Sequence, residues 1–416
     1  MSADQRLGLN DRAQLEVEFE AARRLSRRRF LMAAGAMGLT AGAMGLLAAC
    51  GGGASPAPSS GPSQAPGTIV PSIGGKLRFY GWEGFDGMAP DAVKLTQWRK
   101  DNNVDLAVSY IASPDELLAK IRTDPGSIDI GTTHVEFYMR VLDLLEPLDL
   151  SRIPNYQTIW PALKSRRWKM ADGSTYMIPA LWGDTPCVYD PKKWPEGPPP
   201  RYLDLADPKY KGELVGMDDW SIMFWGISRS LGNSPPMRVT QAQLDQIVKE
   251  YIKIKPNIVA LLSGSTADFV DILVRGDASM APWGCWEPVV PLAAEKGKEL
   301  KFAKLAVDKD FTWVDNYAIP KASTNKDTAY AYINQLIGPE GNAELANFSQ
   351  CGSTQSLSWD YLDPTVRGWY PYDGLKEPEP PDDSPVMTPM VPPLEPEGDI
   401  LGVEAWQRAW QEAKLG

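Results

Sequence analysis

The sequence of 416 residues contains a single histidine, His134, and four cysteines. Zinc sites built on histidine, and Ser-His-Asp or Cys-His nucleophile systems, would all depend on that one residue. No H-E-x-x-H, G-x-S-x-G or C-x-x-C motif accompanies it, and no Gly-rich phosphate loop of the P-loop type occurs. We therefore expect neither a catalytic group nor a metal or other cofactor, and a fold that does not depend on disulfides.

Basic runs are also scarce in this sequence. The formal charge is −11, and outside the first 30 residues the richest basic run is residues 164–169. A nucleic-acid groove needs a basic surface, so we expect no nucleic-acid partner. An acidic protein can instead favour small cations, although surface charge usually serves solubility.

The N-terminal segment is typical of an export signal. Residues 26–31 (S-R-R-R-F-L) resemble the twin-arginine motif, and the apolar run that follows ends in L-A-A-C at Cys50, which resembles the lipobox of bacterial lipoproteins. We expect residues 1–49 to be the signal peptide, Cys50 to be lipidated, and residues 50–74 to be a flexible Gly/Ser/Pro-rich linker. The alternative is a permanent transmembrane anchor, because about 20 apolar residues can span a bilayer.

From residue 75 onward, strand-like and helix-like patterns alternate. Residues 76–80 read as a strand, residues 113–116 (S-P-D-E) as a helix start, and residues 241–254 as a helix with one apolar face. Repeated units of this kind indicate a parallel α/β sheet with ligand sites beyond the carboxyl ends of the strands. A chain of this length, 43% hydrophobic, predicts two such domains, and we find no internal repeat.

Tryptophan is unusually informative, because several of the 15 Trp lie beside carboxylates. Examples are Trp82-Glu83, Trp182-Gly183-Asp184, Asp219-Trp220, the stretch P-W-G-C-W-E at residues 282–287, and Trp313-Val314-Asp315. In a strand over residues 311–320, Trp313, Asp315 and Tyr317 would lie on one face. Flat rings beside carboxylates suit organic cations and sugars, although core packing remains an alternative for each ring.

Several short segments resemble the periplasmic spermidine/putrescine-binding proteins of bacterial ABC importers. They are L-R-F-Y-G-W at residues 77–82, I-P-A-L-W-G at 178–183, Y-K-G at 210–212, G-M-D-D at 216–219, M-A-P-W-G at 280–284 and W-V-D-N-Y-A-I-P at 313–320. The resemblance covers residues 75 to about 350, with a weaker continuation. It is more specific for the solute-binding superfamily than for the ligand.

The resemblance implies a bilobal type II periplasmic-binding-protein fold, in which two α/β lobes are joined by hinge strands and close around a ligand. The implied first lobe comprises residues 75–180 and 316–352, and the implied second lobe residues 181–315 and 353–416. The crossings between lobes would then fall near residues 180–188, near residues 315–319 and after Cys351.

The resemblance also implies a set of ligand-binding residues. Trp82, Glu83 and Phe85 would form the first-lobe wall, with Thr132, Thr133 and His134 beside them. Trp283 and Trp313 would stack on the ligand, and Asp315 and Asp219 would receive its ammonium groups. Ile222 stands where the family has a second acid, and Gly84-Phe85 replaces a more polar stretch. Both departures favour a ligand with fewer positive charges than spermidine, or a different organic cation. Contact with a neutral His134 would weaken binding in acid.

The leading hypothesis is a monomeric lipoprotein on the outer face of the cytoplasmic membrane. It would capture a polyamine-like cation by lobe closure and deliver it to an ABC permease. One alternative is a binding protein for a sugar or an amino-acid-like solute. Another is a secreted glycoside hydrolase with Asp219 and Asp315 as its carboxyl pair, although no spacing singles out an acid and a nucleophile.

Overall fold

The computed structural model describes residues 73–415 except 112, 263–264, 309–311, 382–383 and 388–390. The predicted signal peptide, Cys50, nearly all of the linker and Phe311 lie outside the described residues. Residues 73–416 form one compact unit by themselves. Within the described ranges, no helix combines the length and the apolar character needed to cross a membrane.

The described residues form two mixed sheets. The strands are β1 (Gly75–Gly81), β2 (Val104–Tyr110), β3 (Ile130–His134), β4 (Ile178–Asp184), β5 (Cys187–Tyr189), β6 (Leu214–Met217), β7 (Ile258–Leu262), β8 (Met280–Ala281), β9 (Lys301–Ala303), β10 (Thr312–Ala318) and β11 (Gly352–Ser353). One sheet has the order β11-β4-β10-β3-β1-β2, and the other has the order β7-β6-β8-β5-β9. We call the first sheet and its packed helices lobe 1, and the second sheet with its helices lobe 2.

Helices cover both sheets. They are α1 (Val93–Asp101), α2 (Pro114–Thr123), α3 (Val135–Tyr138), α4 (Trp220–Ser230), α5 (Gln241–Ile254), α6 (Thr266–Arg275), α7 (Val289–Glu295), α8 (Lys326–Leu336), α9 (Pro339–Ser349), α10 (Pro364–Trp369) and α11 (Val403–Leu415). The α/β class and the two-sheet architecture are therefore confirmed. The expected parallel arrangement is only partly present, because both sheets also contain antiparallel pairs.

Local sequence rules account for many of these boundaries. Helix α2 begins where the S-P-D-E pattern predicts, with the Ser113 hydroxyl accepting a hydrogen bond from the Glu116 N–H. Strand β1 alternates so that Leu77 and Phe79 are buried. Helix α3 stops after Tyr138, and the chain continues as a 3-10 turn kinked at Val141.

The chain crosses between lobes through the ends of two neighbouring strands. β4 and β10 pair antiparallel in lobe 1, whereas β5 and β9, which adjoin them in sequence, pair in lobe 2. Asp184 ties the two crossings together, because its carboxylate accepts a hydrogen bond of 2.6 Å from the Thr312 hydroxyl and pairs with Lys304. The crossing expected near residues 315–319 thus precedes Thr312, and all of β10 lies in lobe 1.

The C-terminal part takes a different course from the one expected. Side chains of Leu362, Tyr370, Tyr372 and Met387 belong to the hydrophobic cluster of lobe 1. Val391, Trp406 and Trp410 belong to a cluster of lobe 2. We expected the return to lobe 2 after Cys351, but the packing places it between residues 387 and 391.

Tyr317 is part of the scaffold of lobe 1. Its side chain is fully buried, and its hydroxyl donates a hydrogen bond of 2.7 Å to the Phe85 carbonyl. This bond ties the loop after β1 to the central strand β10. Tyr317 therefore packs in the core of lobe 1 and holds the loop after β1.

Replacing Tyr317 by Phe should leave the Phe85 carbonyl buried without its donor. We expect the free energy of unfolding to fall by about 1–3 kcal/mol, measured by chemical denaturation. Tyr361→Phe is the matched control, because Tyr361 is exposed, and it should change stability by less than about 0.5 kcal/mol. Equal effects of the two substitutions would contradict the anchoring role.

Candidate binding site at the lobe junction

The pairing of β3 with β10 brings two predicted site residues together. Asp315 lies directly opposite His134 in this antiparallel pair, so their side chains leave the sheet on the same face. The His134 Nδ1 atom is 3.2 Å from the Asp315 Oδ1 atom, and the two side chains are 14% and 6% exposed. A carboxyl group and an imidazole therefore share a nearly closed site at the end of β3.

Asp315 has no permanent cation beside it. No Lys or Arg of the described chain lies within ion-pair distance of its carboxylate, and His134 is its only basic neighbour. Burial raises the pKa of Asp315 above its ordinary value, and the nearby charge of Glu136 adds to the effect. His134 and the indole N–H of Trp82 work in the opposite direction. The ionised carboxylate is therefore costly in this form of the protein.

Aromatic rings surround the pair. The His134 ring centroid lies 6.5 Å from that of Trp313 and 6.1 Å from that of Phe137. Trp313 and Phe137 each pack against the hydrophobic clusters of both lobes. Trp313 can lie flat on β4 because Gly183 has no side chain there, since a Cβ atom would come within 2.4 Å of Trp313 Cζ2. The rings thus mark the junction of the two lobes.

Two buried hydroxyls near the pair, those of Thr133 and Tyr138, have no hydrogen-bond partner among the described residues. The Trp82 indole N–H and the His134 Nδ1 atom approach the Asp315 carboxylate and have no other hydrogen-bond partner in the described chain. Buried polar groups in native proteins are nearly always satisfied, so such a concentration is typical of a place where a ligand or ordered water supplies the missing partners.

Tyr138 was not among the residues predicted from the sequence. It is fully buried, and burial together with the charge of Asp315 raises the pKa of its hydroxyl. Its hydroxyl lies below Gly131 of β3, where a Cβ atom would be 3.0 Å away. The sequence signal was ambiguous, because a tyrosine in an apolar helix-like stretch is usually a core residue.

Three further predicted residues of lobe 1 lie nearby but have other partners. The Thr132 hydroxyl accepts a hydrogen bond of 2.9 Å from the Trp82 backbone N–H, which fixes the start of the loop after β1. Phe85 is buried in the lobe 1 cluster. Glu83 is exposed to solvent. Thr132 and Phe85 therefore hold the wall, and Glu83 lies at its outer edge.

The two predicted residues of lobe 2 lie apart from the Asp315 pair. Trp283 is only 1% exposed and stacks on Tyr202 with a centroid separation of 5.8 Å, inside the lobe 2 core. Asp219 caps helix α4, where its carboxylate accepts hydrogen bonds from the Ser221 N–H at 2.7 Å and the Ser221 hydroxyl at 2.6 Å. Asp219 also lines a cavity.

That cavity has a volume of about 560 Å³ and lies between the lobes. The residues that line it on the lobe 1 side include Asp115, Glu136, Phe137 and Arg140, and those on the lobe 2 side include Asp218, Asp219, Trp220, Arg238, Glu397 and residues 391–394. Glu136 and Phe137 connect the cavity with the Asp315 pair. The charge of Glu136 raises the pKa of Asp315, and the ring of Phe137 lies beside that of His134.

Most charged groups of the cavity are already paired. Arg140 pairs with Asp115 at 2.9 Å, Arg238 with Glu397 at 2.5 Å, Lys414 with Asp218 at 2.9 Å, and Glu136 with Arg167. Within the described chain, Asp219 is the lining carboxylate that has no Lys or Arg within ion-pair distance. Asp219 and Asp315 are thus carboxylates at the junction that have no Lys or Arg within ion-pair distance in the described chain.

No group of three or more His, Cys, Asp and Glu side chains in the described ranges is placed to hold a metal ion. Cys187, Cys285 and Cys351 are free thiols. The candidate site contains carboxylates, an imidazole, hydroxyls and aromatic rings.

Comparisons with known proteins show the family to which the chain belongs. Residues 95–355 match the family described as bacterial extracellular solute-binding protein. The chain is 25% identical over 278 residues to the spermidine/putrescine-binding periplasmic protein of Escherichia coli K12, a match that covers 65% of this chain and 75% of the relative.

Two solved structures show the same fold. The spermidine/putrescine substrate-binding protein PotD of Streptococcus pneumoniae superposes with a TM-score of 0.63 at 22% identity, covering 82% of this chain and 97% of that one. The TpPotD lipoprotein of Treponema pallidum gives a TM-score of 0.61 at 19% identity, covering 82% and 100%.

The burial of Asp315 predicts a gain in stability when its charge is removed. In the ligand-free protein near pH 7, Asp315→Asn should raise the free energy of unfolding by about 0.5–2 kcal/mol, measured by chemical denaturation. Because the folded-state pKa of Asp315 is raised, the wild type is relatively most stable below the ordinary Asp pKa and loses this stability as the pH rises through the folded value.

The difference between wild type and variant should therefore shrink on acidification. Asp277→Asn, an exposed carboxyl on lobe 2, is the control and should change little. A lower stability of Asp315→Asn at pH 7 would show that the carboxylate is already compensated within the protein.

Proposed function

Because the chain belongs to the bacterial extracellular solute-binding proteins, we propose that its solute is a small organic cation of the putrescine and spermidine class. The observation that carries this proposal is Asp315, a carboxylate that is 4% exposed, lies among aromatic rings and has no permanent cation within reach in the described chain. An ammonium group would supply the missing charge and hydrogen bonds.

The energies involved are sufficient. A ring face over a cation contributes about 0.5–2 kcal/mol, and a hydrogen bond to a charged group about 1.5–3 kcal/mol. One ammonium at Asp315 beside Trp313, with a second near Asp219, would therefore reach the roughly 8 kcal/mol that micromolar binding requires. Micromolar binding would thus require two carboxylates and two or three aromatic rings in contact with the ligand.

The printed names of the relatives support a polyamine, since the similar Escherichia coli protein is named for spermidine and putrescine. Here, however, Ile222 occupies the place of a second acid and is 8% exposed. With Asp219 already accepting two hydrogen bonds from Ser221, the site has room for two positive charges at most. A diamine therefore fits better than spermidine.

The mechanism would be closure of the two lobes around the ligand. A ligand that contacts both lobes binds the closed form more tightly and so shifts the equilibrium toward it. The chain would perform no covalent chemistry. It would act outside the cytoplasm as a monomer, exported by the twin-arginine signal, anchored through the lipidated Cys50, and deliver the solute to an ABC permease.

A second candidate is an amino-acid-like solute that carries both charges. Arg140 and Arg238 line the cavity, and the Arg140 Nε atom is buried without a hydrogen-bond partner in the described chain. Either guanidinium could bind a ligand carboxylate by exchanging its exposed partner, Asp115 or Glu397. In that case Asp315 would still receive the amino group.

A thermal-shift panel on the purified protein tests the ligand class. It should contain putrescine, cadaverine, agmatine, spermidine, a set of ω-amino acids and several sugars. A ligand that binds only the folded state raises the melting temperature in a concentration-dependent way. We expect the largest shifts with diamines, whereas shifts with amino acids alone would favour the second candidate and shifts with sugars alone would overturn both.

Asp315→Asn should weaken binding of the best amine by about 1.5–3 kcal/mol, measured by isothermal titration calorimetry at neutral pH. The same substitution at exposed Asp277 should leave the affinity unchanged. The amine affinity of the wild type should also weaken on acidification, because protonation removes the charge of Asp315. Equal affinities of the wild type and Asp315→Asn would exclude Asp315 as the amine receptor.

A further inference from the structure

A second buried carboxyl lies at the lobe junction, at a place that the proposed ligand site does not use. Glu287 is 2% exposed and lies two residues before the start of α7 of lobe 2. Its neighbours in sequence, Cys285 and Val289, belong to a hydrophobic cluster of lobe 2. Glu287 therefore moves with lobe 2.

The group that Glu287 faces belongs to the other lobe. The Tyr370 hydroxyl lies 3.4 Å from Glu287 Oε2 and donates a hydrogen bond of 2.7 Å to the Gln350 carbonyl at the end of α9. Tyr370 packs edge-on against Trp182 of β4, with centroids 5.4 Å apart, in the lobe 1 cluster. The contact between Glu287 and Tyr370 thus joins the two lobes.

The hydrogen-bond arrangement at this contact favours a protonated carboxyl. The Tyr370 hydroxyl has one hydrogen, which it gives to the Gln350 carbonyl. An ionised Glu287 would then face an oxygen lone pair, whereas a protonated Glu287 can donate to that oxygen. Burial raises the pKa of Glu287 to about 8, while its own backbone N–H and the Tyr370 hydroxyl act in the opposite direction.

The two charged side chains nearest Glu287 act on its pKa in opposite directions. Asp184 of β4 raises the pKa of Glu287, and Lys304, which would lower it, is already paired with Asp184. The remaining titratable neighbours are the thiols of Cys285 and Cys351, whose pKa values are raised by burial and, in part, by Glu287. The ammonium of Lys304 therefore faces two carboxyls, those of Asp184 and Glu287. With a proton on Glu287, the net charge of these three side chains is zero.

We propose that Glu287 is a proton-linked latch, which holds a proton when the lobes are together and releases it to solvent when they part. This inference rests on the lobe closure of the proposed function but not on the identity of the solute. Since separation of the lobes would expose Glu287 to water, its affinity for a proton would return toward that of an ordinary glutamate.

The direction of the pH effect follows from linkage. Closure would take up one proton between the ordinary Glu range and about pH 8. The latch is thus fully effective below the ordinary Glu pKa and is lost as the pH rises through about 8. The ratio of closed to open protein would fall by up to about tenfold per pH unit in this window. Asp315 acts in the opposite sense on amine binding, and in the ligand-free protein the comparison with Glu287→Gln separates the effect of Glu287 from that of Asp315.

Small-angle X-ray scattering of the purified, ligand-free protein from about pH 6 to about pH 9 tests the latch. We expect the radius of gyration of the wild type to increase across this range, with unchanged circular dichroism showing that the protein stays folded. Glu287→Gln keeps a donor without a charge and should remain compact throughout. Glu299→Gln, an exposed glutamate of the same lobe, should behave like the wild type.

Tyr370→Phe provides a second route to the same contact. It removes the acceptor of lobe 1 and should give an expanded protein already at the lower pH. A radius of gyration that does not change with pH in the wild type, or changes equally in Glu287→Gln and the wild type, would overturn the proposal. Because no ligand is present, this outcome is distinguishable from failure of the amine assignment, which the thermal-shift panel decides.

Discussion

A buried carboxylate without a permanent cation is the constraint on which this site depends. Asp315 is placed by the central strand β10, opposite His134, at a position where both sheets and their hydrophobic clusters meet. An ionised group there costs free energy unless a positive charge joins it. Within the described chain no Lys or Arg supplies that charge, which is the property expected of a receptor for a cation.

The remainder of the junction positions this group. Strand β10 carries Trp313 and Asp315 of the candidate site. It also carries Tyr317, whose hydroxyl holds the loop after β1 at the Phe85 carbonyl. One strand beside a crossing between the lobes therefore positions both the candidate site and this loop. The hydrogen bond from the Thr312 hydroxyl to Asp184 joins the ends of β4 and β10, so we expect the two strands to move together. Cys351 is close to both Asp315 and the proposed latch at Glu287, since burial and then the charges of these two carboxyls raise the pKa of its thiol.

Sequence reasoning predicted the parts that follow from local rules. The cap at Ser113, the strands and the shared face of Trp313, Asp315 and Tyr317 depend on neighbours in the chain. The opposition of His134 and Asp315 could be expected only from the family resemblance. Tyr138 and Glu287 were missed because their environment is created by segments far away in the sequence. The point at which the C-terminal part returns to lobe 2 was predicted wrongly for the same reason. The sequence of an amphipathic helix shows that one face is buried but not which lobe covers it.

The structure of the protein bound to its best amine tests the central claim most directly. The account predicts an ammonium nitrogen at about 2.7–3.0 Å from an Asp315 carboxylate oxygen, with Trp313 against the ligand. An amine bound only in the cavity beside Asp219, with Asp315 still facing His134 alone, would contradict it.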